Sequence, residues 1–336
     1  MTLAPLLGAT LLACAHAPAP CPKAPTATVA LPSGAASSGS SDPVGDARAS
    51  ASLDPNAVPS SAEASAKPAL AILIRPIARP APLVHVEIEA NVPGAPLSTW
   101  HLAAGTAARI THAAARDAKH AVSVQLKPAA GGPALDLVLD GATSGPVHLE
   151  YDVMSGDDAP DDPFGLLVLD DRFRGGGERL LAIPESIQDT ALPVLVRIDG
   201  EPLRADRAAS SLGVGAVHRA RLRPRALRYA TFLAGSLGAQ VIQAVEGNDE
   251  GAWLGYTSFD PRPAIAELAQ IRTGLYEFLK SRQPIPGPTW TYLLMSQSRP
   301  IGSFSTTPRF ESILLQVGPS EPWSAPLRLS MTQQLA

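Results

Sequence analysis

The sequence predicts a chain that is mainly β and then α+β, entered through a disordered tether. Three observations carry this reading. From about residue 69 to 228, short apolar or alternating runs recur, most of them separated by Gly, Pro, Asp or Asn. Many short strands with turn signals are the pattern of a β-sandwich. From 229 to 336 the order becomes strand, strand, helix, strand, strand, helix, an α+β arrangement distinct from the sandwich. Residues 15–68 are mostly Ala, Pro, Ser, Gly and Thr with no Phe, Trp or Tyr, too little apolar surface to offset the entropy of ordering. A length of 336 residues fits two folded domains at roughly 150 residues each.

Residues 1–14 read as a targeting segment. The run Leu3 to Ala13 is apolar and too short to span a bilayer as a helix. It ends Leu11-Leu12-Ala13-Cys14, which resembles the bacterial lipobox, although the Lys or Arg expected before the apolar run is absent. That resemblance implies lipidation at Cys14. It also implies a lipid-anchored protein of the bacterial cell envelope, in the outer membrane or periplasm. Residues 15–68 would then hold the folded part off the membrane as a flexible linker. Cys21 is the only other cysteine. The folded part therefore offers no thiol for catalysis and no cysteine ligand for a metal.

The first expected strands are Ala71–Pro76 and Leu83–Ala90. In the second, Val84, Val86 and Ile88 share one face while His85, Glu87 and Glu89 share the other, the alternation of a half-buried antiparallel strand. Further strands are expected at 121–126, 134–139, 147–153, 166–169, 180–183 and 194–198. His85, His101, His112 and His148 lie in or near these runs. None of them stands at a helical metal-ligand spacing, and exposed strand or loop histidines are expected. The acidic run Asp157–Asp162 offers oxygens to a calcium ion but lacks the spacing of a calcium loop, so it reads as a solvated connection. Phe173 to Arg179 contains three glycines but no Gly-Lys-Ser/Thr, so a flexible hairpin connection is expected there. No Ser-His-Asp order or G-x-S-x-G motif is present.

In the second region, 239–245 reads as a strand, 247–251 as a turn and 253–259 as a second strand. Asp260 caps a helix with Pro261 at its first position. Ile265, Leu268, Ile271, Leu275, Phe278 and Leu279 follow at helical spacing through Arg282. Then come a Pro-rich turn, the strand Thr289–Ser296, a loop through Pro308 and the strand Ser312–Val317. Ser324 and Pro326 open a last helix, whose Leu327, Met331 and Leu335 lie on one face. That face breaks off at Ala336, which reads as a sequence interrupted in mid-helix.

The net charge of -4 gives no basic footprint for nucleic acid. The hairpin, the helix entered through Phe259-Asp260, the strands Thr289–Met295 and Ser312–Val317, and the helix ending Leu335-Ala336 resemble the glycyl aminopeptidase family of gluzincin metallopeptidases. The resemblance implies a β-rich domain followed by the first part of a thermolysin-like catalytic domain. It implies peptide hydrolysis by a zinc-bound water, with two His and one Glu supplied by an H-E-x-x-H motif that would come after Ala336. None of those three residues is in this sequence, whose last histidine is His218. No cofactor is therefore expected on these residues, zinc being expected only with a downstream segment, and no peptidase activity is expected from them alone. The resemblance also implies that Ser312, Ile313, Leu314, Leu315, Gln316 and Val317 form an edge strand that pairs with a peptide or protein substrate. The family's Gly-Gly-x-Glu-His segment is replaced here by Pro300 to Thr307, without Glu or His. The alternative is a non-enzymatic surface lipoprotein with a β-sandwich binding module.

Overall fold

The computed structural model describes residues 67–336 apart from 104–105, 130–133, 157–161, 163–164, 244–247, 256, 280–288 and 336. Cys14, Cys21 and the tether to residue 66 lie outside the described residues, as does most of the acidic run Asp157–Asp162.

Three sheets enclose one core in the β-rich part. The largest has seven strands in the spatial order Val217–Leu222, Leu192–Ile198, Leu70–Ile77, Leu83–Ala90, Val147–Met154, Ile110–Arg116 and Ala121–Val122. Leu83–Ala90 has its expected bounds, and Val84, Val86 and Ile88 are fully buried. A five-stranded sheet is formed by Gly213–Val214, Arg207–Ser210, Thr231–Gly235, Arg172–Gly176 and Leu167–Val168. A four-stranded sheet is formed by Ile183–Pro184, Thr99–His101, Leu135–Leu139 and Val124–Pro128. The single strand expected at 121–126 is thus two strands in different sheets. Trp100, Tyr151, Phe173 and Phe232 are fully buried where the sheets meet, each contributing roughly 1.5–3 kcal/mol or more by leaving water.

Two sequence expectations fail in one place. Phe173 to Arg179 is not a flexible hairpin, and of the strand expected at 180–183 only Ile183 is in a strand, Ile183–Pro184. Arg172–Gly176 is a buried strand paired with Thr231–Gly235, and Gly177–Leu180 forms a single helical turn. A Cβ on Gly177 would stand 1.8 Å from the Leu227 carbonyl oxygen, so close backbone packing requires the glycine. The hydroxyl of Tyr151 donates to the Leu180 carbonyl at 2.7 Å and accepts from the Ala182 N–H at 2.8 Å. That pins the turn, and burial pushes the phenol pKa up.

The α+β part is a five-stranded mixed sheet in the order Leu237–Gln243, Asn248–Leu254, Thr289–Ser296, Ser312–Val317, Ser305–Arg309. The three central strands are parallel and the outer two antiparallel to them. Asn248 to Gly251, expected as a turn, lies inside the strand Asn248–Leu254, and the strand expected at 253–259 ends at Leu254. The loop expected through Pro308 contains the strand Ser305–Arg309. A buried ion pair explains the first correction. Asp249, fully buried, accepts from Arg272 Nε at 2.7 Å, Arg272 Nη2 at 3.0 Å and the Tyr292 hydroxyl at 3.2 Å. The pair requires Asp249 to face the helix Pro261–Leu279, which overrides the turn propensity of Asn-Asp-Glu-Gly.

Asp260 caps that helix, its Oδ1 accepting from the Arg262 N–H at 3.0 Å. Ile265 and Leu268 are buried against the sheet, and a Cβ on Gly251 would stand 2.3 Å from Ile265 Cδ1. Phe278 is 73% exposed, contrary to its expected place on the buried face. At 100° per residue it stands roughly 110° from the centre of the face formed by residues 264, 265, 268, 269 and 272. Ser324 caps the last helix, Ala325–Gln333, and Leu327 and Met331 are buried on the face expected of them.

His218 is buried to 7% exposure on the inner face of Val217–Leu222. Burial pushes its pKa from 6.5 down to about 4, opposed in part by a hydrogen bond with the Gly215 backbone. Between those two pH values the unfolded chain binds the proton and the folded chain does not. Stability is therefore complete above pH 6.5 and falls as pH drops toward 4, by about 3 kcal/mol. Urea unfolding of the His218→Phe variant is expected to lose that slope; an unchanged slope would contradict this assignment.

Candidate functional site

The carboxyl ends of the three parallel strands form one rim, where ligands of open sheets with parallel strands tend to bind. Three loops meet there and are tied to one another. The Gln297 N–H donates to the Val317 carbonyl at 2.8 Å. Arg299 Nε donates to Gln297 Oε1 at 3.3 Å. Glu321 is 2% exposed, and its Oε2 accepts from the Gly302 N–H. Its backbone carbonyl accepts from Ser258 Oγ at 2.6 Å. The buried carboxylate thus holds the loop that leads into Ser305–Arg309, and its carbonyl holds the loop that leads into the long helix.

Beside the rim, Trp323 locks the two helices together. Its ring centroid lies 5.4 Å from that of Phe259, its Nε1 donates to Glu267 Oε2 at 2.8 Å, and the Arg328 guanidinium sits 5.9 Å from its centroid. A cavity of about 290 Å³ opens at the same end of the sheet, lined on one side by Leu254 and Met295 to Ser298 and on the other by Leu166, Leu169, Arg172 and Arg174. A larger cavity, about 650 Å³, lies at the opposite end of the sheet. Pro308, Arg309 and Phe310 meet Arg221 to Arg225, Ala226 and Tyr229 there.

Ser312–Val317 is not the edge strand that the sequence suggests. Ser312, Ile313, Leu314, Leu315, Gln316 and Val317 are all buried. They pair with Thr289–Ser296 on one side and Ser305–Arg309 on the other, so neither edge is open to a peptide. Among the described residues the open edge on this side of the sheet belongs to Ser305–Arg309, the other outer strand being Leu237–Gln243. Two signals for it were in the sequence: the β-prone Ser305-Thr306-Thr307, and Pro308, which strands tolerate at an edge. Both faces of this strand are fastened, one where Thr306 Oγ1 and Ser330 Oγ are 2.6 Å apart and the other where Ser305 Oγ donates to Gln316 Oε1 at 2.9 Å.

The histidines are dispersed over the β-rich part. His85 Nδ1 and His112 Nδ1 pair with the two oxygens of Asp152 at 2.8 and 3.1 Å. A bulge between Thr111 and Ala114, with His112 at φ 53°, turns His112 toward that carboxylate. His101 pairs with Asp136 at 2.6 Å and His148 with Glu150 at 3.6 Å. His120 pairs with Asp117 at 3.3 Å, and three backbone N–H groups hold the Asp117 carboxyl down at about 2. Asp162 accepts from Arg179 at 3.5 Å. Among the described residues no group of three His, Cys, Asp or Glu is placed to hold a metal ion. A catalytic zinc requires three such ligands with one position open. Among the described residues the rim loops carry two carboxylates, Glu321 engaged by Gly302 and Asp260 engaged by Arg262, and no imidazole, so the residues present do not fit it.

No family model matches the sequence, and no curated protein matches it significantly. Among solved structures, the aminopeptidase N family protein from Idiomarina loihiensis superposes with a TM-score of 0.58 at 17% identity, over 74% of this chain and 42% of that one. The M1 zinc metallopeptidase from Deinococcus radiodurans gives a TM-score of 0.46 at 12% identity, over 79% of this chain and 62% of that one, and carries no further argument. The chain spans less than two thirds of either. The first likeness shows the fold: a β-rich part followed by an α+β part, as in that protein.

Replacing Glu321 by Ala leaves the Gly302 N–H without its acceptor. Hydrogen exchange of residues 300–304 is expected to accelerate, with about 1–3 kcal/mol lost from global stability in urea. Unchanged exchange there would show that Glu321 does not hold the loop.

Proposed function

We propose that these residues form the substrate-side scaffold of a cell-envelope, zinc aminopeptidase-like protein. In this reading the α+β part presents a peptide platform along Ser305–Arg309, and its described residues supply no ligands to a catalytic metal. One observation carries it. The outermost strand of the mixed sheet has an open edge and is joined through the Glu321-anchored loop to the rim from which the last helix departs. An extended peptide would add to that edge through backbone hydrogen bonds, as strand addition works elsewhere. Pro308 removes one donor, so recognition falls mainly on residues 305–307, nearest the rim. The likeness of fold to an aminopeptidase N family protein supports this reading. The zinc chemistry of a complete relative would lower the pKa of a bound water; the residues here would bind and orient the peptide. Cys14 would carry the lipid, with residues 15–68 as the tether.

Three outcomes are expected. The purified 336-residue chain retains no stoichiometric zinc and shows no chelator-sensitive hydrolysis of neutral tri- to pentapeptides. Such peptides slow amide exchange in Ser305–Arg309. In a bacterial host Cys14→Ala moves the chain from the membrane to the soluble fraction. Zinc-dependent turnover by the chain itself, or peptide binding that leaves Ser305–Arg309 unprotected, would overturn the scaffold reading. Unchanged fractionation of the variant would overturn the anchor.

A further inference from the structure

The free edge of the seven-stranded sheet carries a feature that the net charge conceals. Its outermost strand is Val217–Leu222, which pairs only with Leu192–Ile198 among the described residues. The sequence there reads His-Arg-Ala-Arg-Leu-Arg-Pro-Arg from His218 to Arg225, placing Arg219, Arg221, Arg223 and Arg225 at every second position. His218 and Leu222 are buried, and all four arginines are exposed. Arg223 continues the extended conformation past the strand, at φ -79° and ψ 123°. Alternate residues of a strand project to one face about 6.6–6.8 Å apart, so Arg219, Arg221 and Arg223 form a regular ladder. Arg225 is held by Asp189 at 2.6 Å. The side chains of Arg219, Arg221 and Arg223 have no hydrogen-bond or ion-pair partner among the described residues.

The ladder runs into the cavity of about 650 Å³. Leu222, Ala226, Pro308, Phe310 and the 58% exposed Tyr229 give it apolar walls, and Arg221 and Arg223 also line it. Phe310 is fixed beside it by its N–H donating to the Tyr229 carbonyl at 3.3 Å.

We infer that the edge Val217–Leu222 docks an extended acidic peptide, with alternating carboxylates opposite Arg219, Arg221 and Arg223 and a large apolar side chain in the cavity at Tyr229 and Phe310. The occupant follows from complementarity. An open strand edge offers backbone donors and acceptors to another strand, and the arginine ladder selects for carboxylates at the same two-residue period. It also excludes a second copy of this chain, whose identical edge would set arginine against arginine. A membrane surface or a nucleic acid would satisfy the charge but would use neither the strand's backbone groups nor the period. The cavity shares Pro308 and Arg309 with the strand Ser305–Arg309 but not Ser305, Thr306 or Thr307, and the inference does not depend on the peptidase reading.

The test uses the purified 336-residue chain and a labelled peptide of alternating Glu and Thr ending in Phe. Binding is followed by fluorescence anisotropy and the bound state by amide exchange. Saturable binding is expected, with slowed exchange in Val217–Leu222 and beside the cavity, leaving residues 305–307 unchanged. Reversing one arginine, Arg221→Glu or Arg223→Glu, is expected to weaken binding roughly tenfold, and the double variant to abolish it. Arg221→Gln with Arg223→Gln should fall between. These side chains are exposed, and an unchanged urea midpoint confirms that each variant is folded. Three controls are a proline-interrupted peptide of the same charge, inorganic polyphosphate and single-stranded DNA. The inference is overturned if any of these binds as tightly as the alternating peptide, if binding leaves Val217–Leu222 unprotected, or if the alternating peptide does not bind.

Discussion

The structure of the α+β part depends on one constraint: the strand Ser312–Val317 has no solvent face. Ile313, Leu315 and Val317 pack with Ile265, Leu268, Leu327 and Met331 on the helix side. Leu314 packs on the other side with Leu293, Met295, Leu254 and Ala252, and with Leu233 and Ala209 of the β-rich part. At the end of the strand, Ser312 Oγ donates to Ser211 Oγ at 2.8 Å across the same junction. A strand buried on both faces needs a neighbour on both edges as well, because an unpaired backbone group in such a core costs free energy comparable to a lost hydrogen bond. Ser305–Arg309 supplies the second neighbour and inherits the open edge. The location of the candidate peptide platform follows from that packing requirement.

The same junction organises the rest of the chain. The β-rich part presents Thr231–Gly235 and Arg207–Ser210 to the sheet and, at its other end, Tyr229 to Phe310. The helices cover the opposite face and are joined through Trp323, Glu267 and Arg328. Asp249 and Arg272 fix the long helix against the sheet with a buried, bidentate ion pair. Such a pair is weak evidence for net stability, but breaking it by removing one partner costs several kcal/mol. It fixes how the helix sits more than it adds stability.

Much of the fold was legible where period and burial agree. Leu83–Ala90 alternates, Thr289–Ser296 and Ser312–Val317 are compact apolar runs, and all three have the bounds their patterns predict. Arg172–Gly176 and Thr231–Gly235 were illegible because both are buried throughout or nearly so and rich in small residues, leaving no alternation to read. Asn248 to Gly251 carries turn chemistry that a distant arginine overrides. The order of strands within a sheet is set by long-range packing, so the sequence could locate Ser312–Val317 but not its neighbours. The arginine ladder was in plain sight, yet a summed charge of -4 hides a local run.

The central claim is that Ser312–Val317 is sealed between the helices and the β-rich part, and its most direct test is Leu314→Ala. Trp253, Trp290 and Trp323 are replaced by Phe so that Trp100, buried in the β-rich core, is the sole fluorescence probe of urea unfolding. A shared core predicts that Leu314→Ala lowers the Trp100 transition by about 2–5 kcal/mol. A Trp100 transition left in place, while the α+β part alone loses stability, would contradict it.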